Sequence, residues 1–239
     1  MISEPLPVLY EDDNFVAVDK PAGLLVHRTE LCSDRTAALQ IVRNQIGHHV
    51  YPVHRLDRAT AGVLLFGKTP EDHSFAAEQF ASRTVRKSYL AVIRGWTEEI
   101  RGTVDSPIKQ EDGVTQEAVT NWESLLKIDY PAQVSKFPTS RYSLMRAYPR
   151  SGRMHQIRRH LRRLSGPIIG DTNYGDGVHN RFFRSVLEVN NLMLFAECLK
   201  FKGKDNKEIT VEAPLPPHFH KVFDFFKWDI SMIGKPLFE

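Results

Sequence analysis

The sequence predicts a mixed α+β protein in which strands outnumber helices. Three observations carry this. Short apolar segments rich in branched and aromatic residues recur from one end of the chain to the other. The amphipathic segments between them arrive at irregular intervals. The strict strand–helix–strand alternation that builds a doubly wound parallel sheet is absent. At 239 residues the chain is long enough for one domain, or a compact pair of lobes, with a substantial core.

Taken in order, PVLYEDDNFVAVDKPAG reads as two short strands around an acidic turn, closed by a Pro-Ala-Gly breaker. RTAALQIVRNQIG is a short amphipathic helix ending at Gly47. HRLDRATAG has neither period and reads as a loop, and GVLLFGK after it is a buried strand. TPEDHSFAAEQFAS starts a helix with Thr69 as N-cap, Pro70 in the first turn and two acids beside it. KSYLAVIRG, AVTNWESLL, RYSLMRAY, NLMLFAECLKF and EITVEA are further strands. RMHQIRRHLRRL is a helix, and HFHKVFDFFKW is a terminal amphipathic helix.

Composition excludes several classes. No apolar run approaches the roughly 18 residues of a membrane span, and the acidic, proline-broken MISEPLPVLYEDD is no signal peptide. Cys32 and Cys198 lie far apart and form no C-x-x-C pair, which argues against a disulfide framework and for a cytoplasmic protein. The net charge of +3 says little, but its distribution says more. Residues 150–170 hold six arginines and two histidines without one acid, a local excess suited to a polyanion.

Three motifs invite a reading that the chemistry rejects. GVLLFGKT, Gly62 to Thr69, satisfies the P-loop pattern letter for letter, but its intervening residues are Val-Leu-Leu-Phe. A P-loop must leave its strand before the first glycine and wrap exposed N–H groups around phosphate. GDTNYGDGVHNRF resembles a calcium loop starting at Asp171, yet has Asp176 at the glycine position and Phe182 at the bidentate glutamate position. His155 and His160 are five apart, which does not place them on one helical face, and no H-E-x-x-H occurs. No metal site is expected.

Two constellations remain. In HRLDRATAG, Asp57 stands between Arg55 and Arg58. Either this is an exposed ion pair worth about 0–1 kcal/mol, or the guanidiniums keep a carboxylate ionised for chemistry, since they can lower its pKa by about 1–3 units. In RMHQIRRHLRRL, Met154, Ile157, Leu161 and Leu164 form one apolar stripe, which turns His155, Arg158, Arg159 and Arg162 away from it, with Arg163 at its flank. Such a face is either merely solvated or contacts phosphate. Its single sign, with no i,i+4 partner of opposite charge, favours phosphate.

HRLD-x-x-T-x-G, a downstream K-x-Y strand, and R-x-H-Q-[IL]-R-x-H followed by GD-x-x-Y-G together resemble the RluA-type pseudouridine synthases. DKPAGLLVH, residues 19–27, is similar to that family's K-P-x-G motif, and the likeness runs from about residue 6 to residue 215. It implies a single catalytic domain over residues 1–239, built on a mixed, mainly antiparallel sheet with interspersed helices. It also implies structured RNA as substrate, no cofactor, and no obligate protein partner. VHRTE, RNQIGHHV and RRHLRRLSGPIIGD, with no N-terminal S4 RNA-binding domain, are similar to the branch that modifies uridine 65 in the T stem of tRNA.

By the same resemblance, Asp57 matches the catalytic aspartate and Arg55 the arginine that moves aside or fills the gap left by the extruded base. Tyr89 matches the tyrosine that stacks on the uracil, Ile157 the apolar residue beside it, and Arg158 the arginine that pairs with the aspartate. Arg58, Arg153, Arg159, Arg162 and Arg163 are the expected RNA contacts. One departure is Ala61, where the family motif usually has serine, which puts a turn hydrogen bond in doubt.

The reaction breaks the N1–C1′ bond, turns the base and joins C5 to C1′, so no redox or nucleotide cofactor is needed. An ionised carboxylate acts at the sugar or the base, by a glycal route or by covalent attack. A non-catalytic RNA-binding protein on the same scaffold and a ribosomal RNA target stay open as alternatives at this stage.

Overall fold

The structure, a computed structural model, describes residues 4–28 and 36–238. Cys32, and Thr29 and Glu30 of VHRTE, lie outside the described residues. The chain divides into two compact units, Met1–Lys87 with Ala196–Pro214, and Ser88–Phe195 with Leu215–Glu239. No helix among the described residues is long and apolar enough to cross a membrane.

In the first unit, β1 (Val8–Glu11) and β2 (Phe15–Lys20) form the hairpin expected around the acidic turn, where Asp12 Oδ1 accepts the N–H groups of Asn14 and Phe15. β2 pairs antiparallel with β4 (Ala61–Gly67), and the short β3 (Tyr51–Pro52) also pairs with β4. β11 (Leu194–Lys202) neighbours β4 and carries the antiparallel β12 (Glu208–Glu212). Every residue of β4 is buried, as its continuous apolar run requires.

Alternation places Phe15, Ala17, Val63, Leu65, Leu199 and Phe201 in one core, with Ala76 from α2 (Pro70–Ala81) packed against them. Phe15 meets Phe201 edge-on, ring centres 5.4 Å apart. Truncating either to alanine would cost roughly 3–5 kcal/mol. α2 begins as expected: Thr69 Oγ1 accepts the Asp72 N–H, and Asp72 Oδ2 accepts the Thr69 N–H. α1 (Ala38–Ile46) ends at Gly47, whose φ of +85° makes glycine the natural stop. Its first-turn donors Ala38 and Leu39 bond the carbonyls of Leu25 and Val26.

In the second unit, β5 (Arg86–Arg94), β10 (Ser140–Pro149), β9 (Val119–Tyr130) and β6 (Arg101–Asp105) lie side by side in that order, all antiparallel. A short hairpin, β7 (Ile108–Lys109) and β8 (Thr115–Gln116), stands apart. Buried Arg146 on β10 donates to Glu123 and to the Gly234 carbonyl, which secures the tail that follows α5 (Pro217–Phe226). Tyr142, Phe183 and Phe226 form an aromatic core there.

Several elements differ from the sequence reading, which has no strand where β3, β6, β7 and β8 lie. The arginine helix, α3, spans only Gln156–Arg163, because Gln156 Oε1 accepts the Ser151 hydroxyl and the Arg153 N–H and organises a turn before the helix. α4 (Gly177–Leu187) was not anticipated: Asp176, read as part of a failed calcium loop, is its N-cap and accepts the N–H groups of Val178 and His179.

Candidate active site

In the first unit the HRLD loop is held at both ends. His54 Nε2 accepts the Leu65 N–H at 3.1 Å and its ring stacks on Phe80, 5.0 Å between centres. Burial, with the Lys87 charge, pushes the His54 pKa down to about 3, so the ring stays neutral and keeps its acceptor. Leu56 is buried, and the Asp57 carbonyl accepts the Thr60 N–H at 3.0 Å, closing a turn. At the far end Gly62 has φ +112°, and a Cβ there would lie 2.1 Å from the Ala196 carbonyl oxygen. Only glycine fits.

Asp57 is half-buried, between exposed Arg55 and Arg58. Arg58 clips the loop onto the KPAG turn: its Nε donates to the Gly23 carbonyl at 2.9 Å and its own carbonyl accepts the Gly23 N–H at 2.8 Å. Gly23 sits at φ +90°, where a side chain would strain the turn.

Lys20 completes this clasp, and sequence reasoning gave it no role although KPAG was noted. Its side chain is fully buried, and Nζ donates to the carbonyls of Pro21, Leu24 and Arg58 at 3.0, 2.8 and 3.2 Å. Burial pulls its pKa down to about 7, against the opposing pull of Asp57 and Asp19. A lysine closing a largely apolar strand, directly before the Pro-Ala-Gly breaker, was the available signal.

In the second unit the residues singled out in the sequence lie on β5 and α3. Tyr89 lies half-buried on β5 opposite Ala147 of β10. Ile157 is buried on α3. Gln156 Nε2 donates to Thr120 Oγ1, and His160 bonds the same hydroxyl through Nδ1. Because the Ser106 carbonyl can only accept, His160 Nε2 is the protonated nitrogen at 2.9 Å from it. These bonds fix α3 against β9.

The charged face expected of α3 is smaller than the sequence suggested. Arg158 is only 7% exposed, and its Nε and Nη2 donate to Asp171 Oδ2 and Oδ1 at 2.8 Å each. Burial alone would raise the Asp171 pKa, but hydrogen bonds from Arg158 and the Tyr174 N–H hold it below the usual carboxylate range. Arg159 Nη1 bonds the Lys109 carbonyl at 2.8 Å and Arg153 Nε the Glu117 carbonyl at 3.3 Å, so both anchor the β7–β8 hairpin. Arg162 and Arg163 are exposed. An apolar stripe equates charge with exposure, and a buried carboxylate partner breaks that equation.

A loop carboxylate in reach of a buried ammonium, and a helix carrying a locked guanidinium beside exposed arginines, suit chemistry on an anionic polymer. The family model described as RNA pseudouridylate synthase matches residues 14–163. The chain belongs to this family, and is an isomerase that converts uridine in RNA to pseudouridine. It is 42% identical over 241 residues to a Vibrio parahaemolyticus protein named tRNA pseudouridine synthase C, covering 95% of this chain and 98% of that one. It is 43% identical to a Pasteurella multocida protein of the same name, covering 95% and 99%. The solved structure titled Human RNA Pseudouridylate Synthase Domain Containing 4 superposes with a TM-score of 0.72 at 25% identity, covering 92% of this chain and 93% of that one.

Proposed function

We propose that this chain isomerises a uridine of tRNA, uridine 65 in the T stem, in the cytoplasm, with Asp57 as the catalytic carboxylate. The observation that carries the tRNA assignment is the end-to-end likeness to the two relatives above, each matched over at least 98% of its own length. The stem uridine follows from the branch-like segments RNQIGHHV and RRHLRRLSGPIIGD.

In this reading the target base is extruded at a cost of about a few kcal/mol, and Arg55 enters the gap. Tyr89 stacks on the uracil, which returns about 1–3 kcal/mol, with Ile157 beside it. Asp57 acts at the sugar or the base while the N1–C1′ bond breaks and C5–C1′ forms, and no atom is gained or lost. Arg158 supplies the guanidinium that answers the aspartate's charge. Arg162 and Arg163, with Arg58, meet phosphates, while Arg153 and Arg159 hold the β7–β8 hairpin. The clasp of Lys20, Gly23 and Arg58 supports a rigid Asp57 loop even with Ala61 in place of serine.

The test is purified protein in EDTA with unmodified transcripts of tRNA and of 23S rRNA fragments, followed by pseudouridine mapping. Conversion at tRNA position 65 is the expected outcome. Conversion only in rRNA overturns the tRNA assignment and leaves the reaction class standing.

A further inference from the structure

Within the second unit the guanidinium of Arg158 is fixed along one edge and across one face. Asp171 takes Nε and Nη2 side by side, and the Tyr174 ring lies 5.2 Å from Cζ. Asp171 is itself immobilised. Its Oδ1 accepts the N–H groups of Asn173 and Tyr174, both at 2.9 Å, and its carbonyl accepts Asn180 Nδ2 at 2.8 Å. Asn180 Oδ1 in turn accepts the Gly170 N–H, and a Cβ at Gly170 would lie 1.9 Å from the Asn191 carbonyl oxygen. The Tyr174 hydroxyl is 3.2 Å from Nδ1 of His155, a residue held at φ +54° in the left-handed region.

Stability does not account for this arrangement. A buried ion pair is often no more stabilising than an apolar pair of equal volume. What the bidentate pair adds is direction, because two parallel bonds fix the plane and the roll of the guanidinium. We propose that Asp171 is a positioning residue for the isomerisation: it holds Arg158 in one orientation, with Tyr174 closing its face, so that the cation meets the reacting centre already aligned. This role rests on the one given to Arg158 above. Alignment of a pre-placed charge serves the chemical step more than binding.

The test is a double-mutant cycle with three readouts: single-turnover rate at saturating tRNA transcript, tRNA Kd, and melting temperature. Asp171→Asn should slow the chemical step by about tenfold or more while Kd stays within about threefold. In an Arg158→Met background the same substitution should add less than about twofold. Tyr174→Leu, which leaves the carboxylate in place, should show a smaller rate loss that also vanishes in that background, and it decides the matter if Asp171→Asn does not fold. An unchanged rate in an active, folded variant, or an undiminished loss in the Arg158→Met background, overturns the positioning role alone. A wild-type protein that forms no pseudouridine in any RNA overturns the functional reading, and this role with it.

Discussion

Lys20 Nζ donates a 3.2 Å hydrogen bond to the carbonyl of Arg58, the residue that follows Asp57 in the chain. The KPAG turn and the HRLD loop, separated by more than thirty residues in sequence, are thereby joined through one buried ammonium. That ammonium carries a measurable signature, because its pKa of about 7 in the folded chain lies well below the ordinary lysine value.

Between about pH 7 and 10.5 the unfolded chain binds one more proton at Lys20 than the folded chain, so stability should rise with pH across this window. From pH 7 to pH 9 the contribution is about 2 kcal/mol. Lys20→Met removes it. Denaturant unfolding of both proteins at the two pH values should show the wild-type advantage growing by that amount, and a constant difference would contradict the lowering of the Lys20 pKa by burial.

His54 acts in the acid range. Its folded pKa of about 3 means that below pH 6.5 the unfolded ring takes a proton which the folded ring refuses, so stability falls as pH drops from 6.5 towards 3. The loss by pH 5 should be about 1–2 kcal/mol. His54→Gln should flatten this part of the profile in a denaturation series, although it weakens the bond to the Leu65 N–H. An equally steep acid limb in the variant would place the titration elsewhere.

The arginines of α3 should separate into two groups. Arg162→Gln with Arg163→Gln should reduce the slope of log K for RNA against log salt by somewhat under about two, with melting unchanged. Arg159→Gln should instead cost stability, about 1 kcal/mol, because it frees the Lys109 carbonyl that anchors the β7–β8 hairpin. Filter binding over a salt series and thermal melting distinguish them, and a common behaviour of all three residues would refute the division.

Much of this was legible in the sequence where one local rule decides the outcome. The apolar run of β4 and the Thr69 cap of α2 follow from period and from the first-turn donors. The HRLD loop stood out because it had no period at all. What escaped depends on partners distant in the chain. α4 was missed because Asp176 serves as a cap inside what resembled an ion-binding loop. Arg158 was placed on a charged surface because its buried carboxylate lies thirteen residues away. Lys20 passed without a role because the carbonyls that hold it belong to turns whose meeting no local pattern announces.

The most direct test concerns Asp57. Wild-type protein and Asp57→Asn are compared on one tRNA transcript, with single-turnover pseudouridine formation and Kd measured on the same preparations. Because phosphate contacts supply most of the binding, Asp57→Asn should bind within about a few fold of wild type and form no detectable pseudouridine. Substantial pseudouridine formation by the variant would contradict the assignment of the catalytic carboxylate.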